Sequence, residues 1–152
     1  MKNTAIFYFS SHHNNTKDLV SGLPGADIFP VNQAAEVDLS QYRLIGFASG
    51  IYMGKPHPSL LELAQKIAQE RQGDLPRVFA VCTSGSGGKS YSKRFQAQLE
   101  KLGLPVAGAY SCKGFDTFGP WKLVGGIGKH HPDQRDKEAF QAFLHKLENG
   151  GE

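Results

Sequence analysis

The chain has 152 residues, a formal net charge of +3 and only 2 cysteines. A length near 150 favours one domain with a sizeable core, so we expect residues 1–152 to form a single domain. Two cysteines cannot build a multi-bridge secreted scaffold, and no apolar run approaches the roughly 20 residues of a membrane span. The mild positive charge does not by itself indicate nucleic acid, whose binders usually carry a clustered basic stripe. The apolar run after Thr4 is too short for a signal peptide, which predicts a cytoplasmic protein.

Five apolar runs of strand length occur along the chain. They predict strands at Ala5–Phe9, Asp27–Val31, Leu44–Ala48, Val78–Cys82 and Val106–Tyr110. The first, third and fourth runs are nearly continuous, which is typical of strands that are covered on both faces.

Segments with helical spacing lie between these strands. Three amphipathic helices are bounded by capping or stop residues, namely Pro58 and Gly73, Ser90 and Gly103, and Asp133 and Gly150. A weaker, short helix is predicted over residues 15–21. The alternation predicts an α/β fold, a doubly wound five-stranded parallel sheet with helices on both faces and the strand order 2-1-3-4-5.

Small, polar, donor-rich segments follow three of the predicted strands. We call residues 10–17 loop 1, residues 49–55 loop 2 and residues 83–90 loop 3. In an open parallel sheet, ligands bind at the carboxyl ends of the strands, near the switch in strand order. The order 2-1-3-4-5 makes strands 1, 3 and 4 neighbours, so all three loops are predicted to meet in one crevice.

Loop 1 suits a phosphate group, because its hydroxyls and backbone N–H groups lead directly into a helix start that favours an anion. Asn14 tolerates the left-handed conformation that a tight loop otherwise gives to glycine. The alternative is an ordinary polar turn with a capping residue. The candidate contacts are Ser10, Ser11, His13, Asn14, Asn15 and Thr16.

Loop 2 places an aromatic ring, Tyr52, between two glycines, where a planar ligand can stack on it. The alternative is a turn with a half-buried tyrosine. Its candidate contacts are Ser49, Gly50, Ile51, Tyr52, Met53 and Gly54.

The sequence of loop 3 is close to the P-loop motif that binds nucleoside triphosphates. Its end, residues 88–90, matches the second half of that motif, but Thr83 stands at the first glycine position, so an NTPase is the least favoured function. The candidate contacts in loop 3 are Thr83, Ser84, Gly85, Ser86 and Gly87.

Three segments together resemble the flavodoxin family. Residues 7–16, FYFSSHHNNT, are similar to the family's aromatic-rich strand followed by S/T-x-x-G-x-T, with Ser11 and Thr16 on its hydroxyl positions and Asn14 in place of a small residue. Residues 47–55 and 112–120 are similar to segments of a bacterial flavodoxin-like subgroup with a double histidine in loop 1. The resemblance covers nearly the whole chain, in order.

This resemblance implies a flavodoxin-like fold that holds flavin mononucleotide (FMN) noncovalently. Loop 1 would hold the ribityl phosphate, while loops 2 and 3 would flank the isoalloxazine ring, with Tyr52 stacked on it. The implied function is electron transfer from a reductase to an acceptor, the flavin cycling between oxidised, semiquinone and reduced states. The implied partner is a redox protein such as a flavin or ferredoxin-type reductase, and the protein would be a monomer or weak homodimer with no catalytic side chain and no metal.

Two alternative functions stay open at this point. One is an FMN-dependent NAD(P)H oxidoreductase that acts on a quinone or similar small substrate, and the other is a binding module that has lost its flavin. The charge bears on this choice, because shuttle flavodoxins present a strongly acidic surface to basic partners, whereas this chain carries +3 and has a pI near 8.9.

Four further hypotheses concern single features. The irregular segment 114–132 is a candidate flap or docking surface. Cys82 and Cys112 lie at the ends of neighbouring predicted strands. We expect them to be buried thiols, and a redox disulfide between them is less favoured. The histidine pairs at 12–13 and 130–131 rarely form a tetrahedral metal site without further Cys or carboxylate ligands at motif spacing, so a metal site is not favoured. A peptide at Gly50 or Gly54 is a candidate to turn over when the flavin is reduced.

Overall fold

The computed structural model describes residues 3–10, 14–114 and 130–150. Within these ranges the chain forms ten regular elements, listed here in chain order: β1 (Thr4–Phe9), α1 (Asn15–Val20), β2 (Asp27–Pro30), β3 (Leu44–Tyr52), β4 (Lys55–Pro56), α2 (Pro58–Glu70), β5 (Arg77–Ser84), α3 (Lys89–Lys101), β6 (Val106–Lys113) and α4 (Gln134–Asn149). Two short 3-10 helices, Val31–Glu36 and Leu39–Gln41, lead from β2 towards β3. In these described ranges no helix has the length and apolar character needed to cross a membrane.

Five of the strands form a parallel sheet in the order β2-β1-β3-β5-β6. This confirms the predicted α/β class and the order 2-1-3-4-5, because β3, β5 and β6 are the third, fourth and fifth predicted strands. A sixth strand, β4, pairs antiparallel with the end of β3, and the sequence did not predict it.

The predicted boundaries of loop 2 are wrong. β3 continues to Tyr52 rather than ending at Ala48, since Ser49 still pairs with Phe9 of β1 and Gly50 with Thr83 of β5. Only Met53 and Gly54 lie between paired strands. The segment is therefore a β-hairpin that extends the sheet, and not an irregular loop.

Helices cover both faces of the sheet, as the continuous apolar strands predict. On one face, Ile6 of β1 packs in a cluster with Leu19 of α1 and Phe140 of α4. On the other face, Phe7 belongs to a cluster with side chains of α2 and α3, including Leu60 and Phe95. Full burial of such a side chain stabilises the fold by about 1.5–3 kcal/mol.

The predicted cap of the last helix is confirmed. The Asp133 carboxylate accepts a hydrogen bond from the Asp136 N–H at 2.9 Å, and the Asp136 carboxylate accepts one from the Asp133 N–H at 2.8 Å. This reciprocal capping box fixes the start of α4. The hydrogen bond from the Asp136 N–H holds the pKa of Asp133 below its usual range.

The two cysteines lie on neighbouring strands but on opposite faces of the sheet. Cys82 pairs in register with Ser111, and Cys112 pairs with Thr83, so the two thiols belong to different core clusters. The proposed disulfide between them is wrong, because cross-strand partners share a face and residues offset by one do not. Both thiols are free and buried, and burial raises the pKa of each to about 12.

We expect both thiols to resist modification in the native protein. A pKa near 12 leaves roughly a thousandfold less thiolate at pH 8 than an exposed cysteine has. An aromatic disulfide reagent should therefore titrate neither Cys82 nor Cys112 in native buffer, and both within minutes in denaturant without reductant. A denatured, unreduced sample that releases no thiol would contradict the separation of the two side chains.

Candidate functional site

The carboxyl ends of β1, β3 and β5 meet at one edge of the sheet, as predicted. The Thr16 and Thr83 hydroxyls are hydrogen-bonded at 2.8 Å, and both residues are buried. The Asn15 side chain lies against Gly114, where a Cβ would come within 2.6 Å of the Asn15 amide nitrogen. Loop 1 is thus tied to β5 by a hydroxyl pair and to the end of β6 by close packing.

The start of α1 has the backbone shape that the sequence predicts for it. Asn14 adopts φ 53° and ψ 34°, which is the left-handed conformation, and the Asp18 N–H donates to the Asn14 carbonyl at 2.9 Å. The Lys17 N–H donates to the Ser10 hydroxyl at 3.3 Å. Ser11 and His13, together with the rest of the double histidine, lie outside the described residues.

An aromatic cluster of Phe9, Tyr52 and His57 stands at the ends of β1 and β3. The Phe9 and His57 rings stack at 3.6 Å with an interplanar angle of 11°, and Tyr52 meets both edge-on, at 5.7 and 6.0 Å. His57 Nδ1 accepts the Ser59 N–H at 3.2 Å and so caps α2. The imidazole is held by this cap, and it in turn supports the Tyr52 ring.

His57 was not among the predicted site residues. The dipeptide His57-Pro58 indicates its capping role, because Pro58 is the first residue of a helix and the residue before it occupies the capping position. The stacking on Phe9 depends on two segments that are far apart in sequence.

Gly50 makes room for the Tyr52 ring. A Cβ at Gly50 would lie 3.0 Å from the Tyr52 hydroxyl and 3.2 Å from the ring carbon that bears it. The phenol therefore folds back along β3 over a position that carries no side chain. The role of this glycine is close approach, because its φ lies outside the positive range.

Ser49 is fully buried, and its hydroxyl has two partners within the chain. It accepts the His57 N–H at 2.9 Å and donates to the Gly50 carbonyl at 2.6 Å. Ser49 thus links the start of α2 to the end of β3, and its hydroxyl orients the Gly50 carbonyl. Its contact with a ligand stays a prediction.

The hairpin turn joins β3 to β4 through two residues with positive φ, Met53 at 55° and Gly54 at 79°. This is the pattern of a type I′ turn, which matches the twist of the paired strands. Positive φ is uncommon for methionine, and the Met53 side chain is 82% exposed. The turn therefore projects a strained, apolar tip from the edge of the sheet.

Loop 3 uses its backbone N–H groups internally. The Gly87 N–H donates to the Ser84 carbonyl at 3.2 Å and to its hydroxyl at 3.0 Å, and the Gly114 N–H reaches the same carbonyl at 2.9 Å. The Gly88 N–H donates to the Ser86 hydroxyl at 3.3 Å. A P-loop needs such N–H groups for the phosphates of a nucleotide, so this geometry argues against an NTPase.

A cavity of about 620 Å³ opens beside loop 1, on the side of β2. Its walls include Phe9 and Ser10 at the end of β1, Asn14 at the start of α1, and Lys66 of α2. The start of α1 is therefore accessible from this side of the sheet.

Several solved structures share this architecture. Fusobacterium nucleatum flavodoxin bound to flavin mononucleotide matches with a TM-score of 0.59 over 99% of both chains, at 12% identity. A flavoprotein from Lactobacillus acidophilus in complex with FMN matches with a TM-score of 0.52 over 71% of this chain and 91% of that chain, at 20% identity. Likeness at such identities shows the fold, and this protein has the flavodoxin-like α/β fold.

Rubredoxin oxygen:oxidoreductase from Desulfovibrio gigas matches with a TM-score of 0.66 over 98% of this chain, at 13% identity. The chain spans only 36% of that larger protein. No family model matches the chain. Uncharacterized protein MJ0298 of Methanocaldococcus jannaschii is 32% identical over 147 residues, which are 93% of this chain and 95% of that protein. The chain belongs to the same protein family as MJ0298.

We expect the Thr16–Thr83 pair to behave as one energetic unit. Replacing either threonine by valine leaves a buried hydroxyl without its partner, which costs about 1–3 kcal/mol in the free energy of unfolding. The double variant Thr16→Val/Thr83→Val should lose less than the sum of the two single losses. Urea unfolding of the four proteins measures this coupling, and strictly additive losses would show that the pair does not tie loop 1 to β5.

Proposed function

We propose that the protein binds FMN noncovalently at the carboxyl edge of the sheet and carries electrons as a flavodoxin-type protein. The observation that carries the proposal is the convergence of loops 1, 2 and 3 at one edge of the sheet, where the Thr16–Thr83 pair joins loop 1 to loop 3. Flavodoxin of Fusobacterium nucleatum, which was solved with flavin mononucleotide, has the same fold over the full length of both chains. Bound FMN would supply the reversible one- and two-electron chemistry.

The donor set at this edge fits the two ends of FMN. The left-handed Asn14 turns the chain into the start of α1, where Asn14, Asn15 and the Ser10 hydroxyl would receive the phosphate. Tyr52 would stack on the ring, and Ser84–Gly87 would border its polar edge. Ser11 and His13 complete the proposed phosphate loop in sequence, and membership of the double-histidine subgroup is part of this proposal.

The remaining residues of the site would act by holding these contacts in place. Phe9 and His57, stacked on each other, support the Tyr52 ring together, and Ser49 holds the Gly50 carbonyl. The Gly50 peptide is therefore fixed within paired strands, whereas the peptide between Met53 and Gly54 lies at an exposed turn. Of the two glycines proposed for a redox-linked peptide rotation, the structure favours Gly54.

The proposal includes the wider setting of this function. We treat residues 1–152 as one domain, active in the cytoplasm as a monomer or weak homodimer, which accepts electrons from a flavin or ferredoxin-type reductase. The runner-up is an FMN-dependent NAD(P)H oxidoreductase acting on a quinone or similar small substrate.

The purified protein should be yellow and should release FMN on denaturation. Reconstituted with FMN, it should oxidise NAD(P)H at a negligible rate until a flavin-containing reductase is added. Substitution of Tyr52 by alanine should weaken FMN binding about 5- to 150-fold, since aromatic stacking contributes about 1–3 kcal/mol. Quenching of flavin fluorescence on titration of the FMN-free protein measures this affinity.

Tyr52→Phe is the matched control, because it keeps the ring and removes only the hydroxyl. It should stay close to the unmodified protein in FMN affinity. A colourless protein that takes up no added FMN would refute the proposal. Rapid NAD(P)H oxidation without a reductase would favour the oxidoreductase.

Gly54→Ala tests the peptide rotation. Alanine at φ 79° is strained by about 1–2 kcal/mol. Rotation of the preceding peptide would bring φ of Gly54 to a negative value and relieve that strain in the reduced protein. The two-electron potential of bound FMN should then rise by about 20–40 mV, as measured by spectroelectrochemistry.

Gly54→Asn is the control for this substitution, because asparagine tolerates the left-handed conformation. Its potential should stay near that of the unmodified protein. Equal potentials for the Ala, Asn and unmodified proteins would rule out rotation at this peptide.

A further inference from the structure

The carboxyl edge of the sheet gathers lysines that are scattered along the sequence. Lys17 lies in the first turn of α1, Lys55 in β4, Lys89 at the start of α3, and Lys113 at the end of β6. All four are exposed. They stand on four different elements, so they form no charge run in the sequence.

Packing contacts link the elements that carry these four lysines. α3 contacts β4, which places Lys89 and Lys55 on neighbouring elements. The Lys113 side chain passes Gly87 of loop 3, where an added Cβ would meet its Cγ at 2.7 Å. Asn15, near Lys17, packs on Gly114, the residue after Lys113. We call the surface formed by Lys17, Lys55, Lys89 and Lys113 the basic edge.

The carboxylates described near these lysines form no ion pair with them. Asp18 is exposed beside Lys17, and Glu62 lines the same cavity as Lys17. Asp133 and Asp136, beyond β6, are engaged in the α4 capping box and with His131 at 2.6 Å. Among the residues that the structure describes, none of the four lysines takes part in an ion pair.

At the opposite edge of the sheet, two arginines share one carboxylate. Arg43 contacts Asp74 at 2.7 Å, and Arg71 contacts the same carboxylate at 3.3 Å. The hydrogen bonds from Arg43 and Arg71 hold the pKa of Asp74 below its usual range. This shared carboxylate distinguishes Arg43 and Arg71 from the four lysines, which form no ion pair among the described residues.

An apolar tip projects from the basic edge. Met53 is 82% exposed and is the one large hydrophobic side chain so exposed among the described residues. It sits two residues before Lys55, in the turn that borders the proposed flavin ring. An apolar centre within a polar, charged rim is the usual composition of a protein interface.

We propose that the basic edge, together with the exposed Met53 tip, is the docking surface for a redox protein with an acidic face. This inference rests on the proposed function in that the partner would exchange electrons with flavin bound at the same edge. Surface lysines steer an acidic partner towards the site over about a Debye length, and they align it with the Met53 tip. The signs of the charges are the reverse of those in an acidic carrier that docks on basic reductases.

The test compares two double variants of the FMN-loaded protein. Lys55→Gln/Lys89→Gln removes two charges from the basic edge. Lys101→Gln/Lys146→Gln removes two from exposed positions in the last turns of α3 and α4. Both variants have the same net charge, so a difference between them reports on the position of the charge.

The probe is an acidic plant-type ferredoxin, and basic mitochondrial cytochrome c is the reference. At about 50 mM salt the basic-edge variant should bind ferredoxin about tenfold or more weakly than the unmodified protein, while the control variant changes by about twofold or less. At about 500 mM salt the difference should collapse, since the Debye length shrinks to a few ångströms. The unmodified protein should prefer ferredoxin to cytochrome c at low salt.

Three results would refute the proposed docking surface. The first is an equal loss of ferredoxin affinity in the two variants, and the second is a preference of the unmodified protein for cytochrome c. The third is lysine-dependent binding to phosphatidylserine vesicles or to an oligonucleotide that is tighter than binding to ferredoxin. FMN affinity is measured separately for each protein by fluorescence. Absence of FMN binding would refute the proposed function, whereas the ferredoxin comparison repeated on the FMN-free protein would still decide the docking surface.

Discussion

The structure depends on the register between three parallel strands, β1, β3 and β5. Because Phe9 pairs with Ser49, and Gly50 with Thr83, the three strands end at nearly the same level. Their side chains are buried on both faces, so a slip by one residue would turn each apolar set to the wrong layer. The register therefore decides that the segments after these strands meet at one edge, and the site follows from it.

Hydroxyl groups at that edge divide into two kinds. The hydroxyls of Ser49, Thr16 and Thr83 are buried and form their hydrogen bonds within the protein, where each links two elements of the fold. The Ser10 hydroxyl lies at the start of α1 and lines the cavity beside loop 1. A buried hydroxyl without a partner costs free energy, so pairing within the chain is the expected state of the first kind.

The aromatic cluster shows how a local cap and a tertiary contact combine. His57 caps α2 through Nδ1, and its backbone N–H reaches Ser49, so the imidazole is fixed twice before it stacks on Phe9. Tyr52 then lies against two rings whose positions are already determined, over the space that Gly50 leaves. A planar ligand placed on Tyr52 would meet a ring that loses little further freedom on binding, which favours affinity.

The positions of the charged side chains concern partner binding. A formal net charge of +3 is small for the whole chain, so the location of the individual charges matters more than their sum. At the carboxyl edge four exposed lysines form no ion pair among the described residues, whereas at the amino edge Arg43 and Arg71 share the Asp74 carboxylate. This arrangement concerns partner choice rather than the fold.

Patterns along the chain were sufficient for much of the fold. Apolar runs and helical stripes located five strands and four helices, Asp133 was recognisable as a cap, and Asn14 as a left-handed residue, because each of these depends on neighbours within a turn or two. The same patterns failed at the hairpin, since the two-residue strand β4 is too short for a period and exists only by pairing with β3.

By itself, then, the sequence determined the α/β class, the strand order and the three segments that border the site. Only the tertiary structure decided how those segments are used: which hydroxyls face inward, that Cys82 and Cys112 lie on opposite faces, that His57 supports Tyr52, and that four distant lysines share an edge. The physical reason is the range of the interactions. Secondary structure responds to neighbours along the chain, whereas the partner of the Thr16 hydroxyl lies 67 residues away, and a one-residue shift in register would have chosen another.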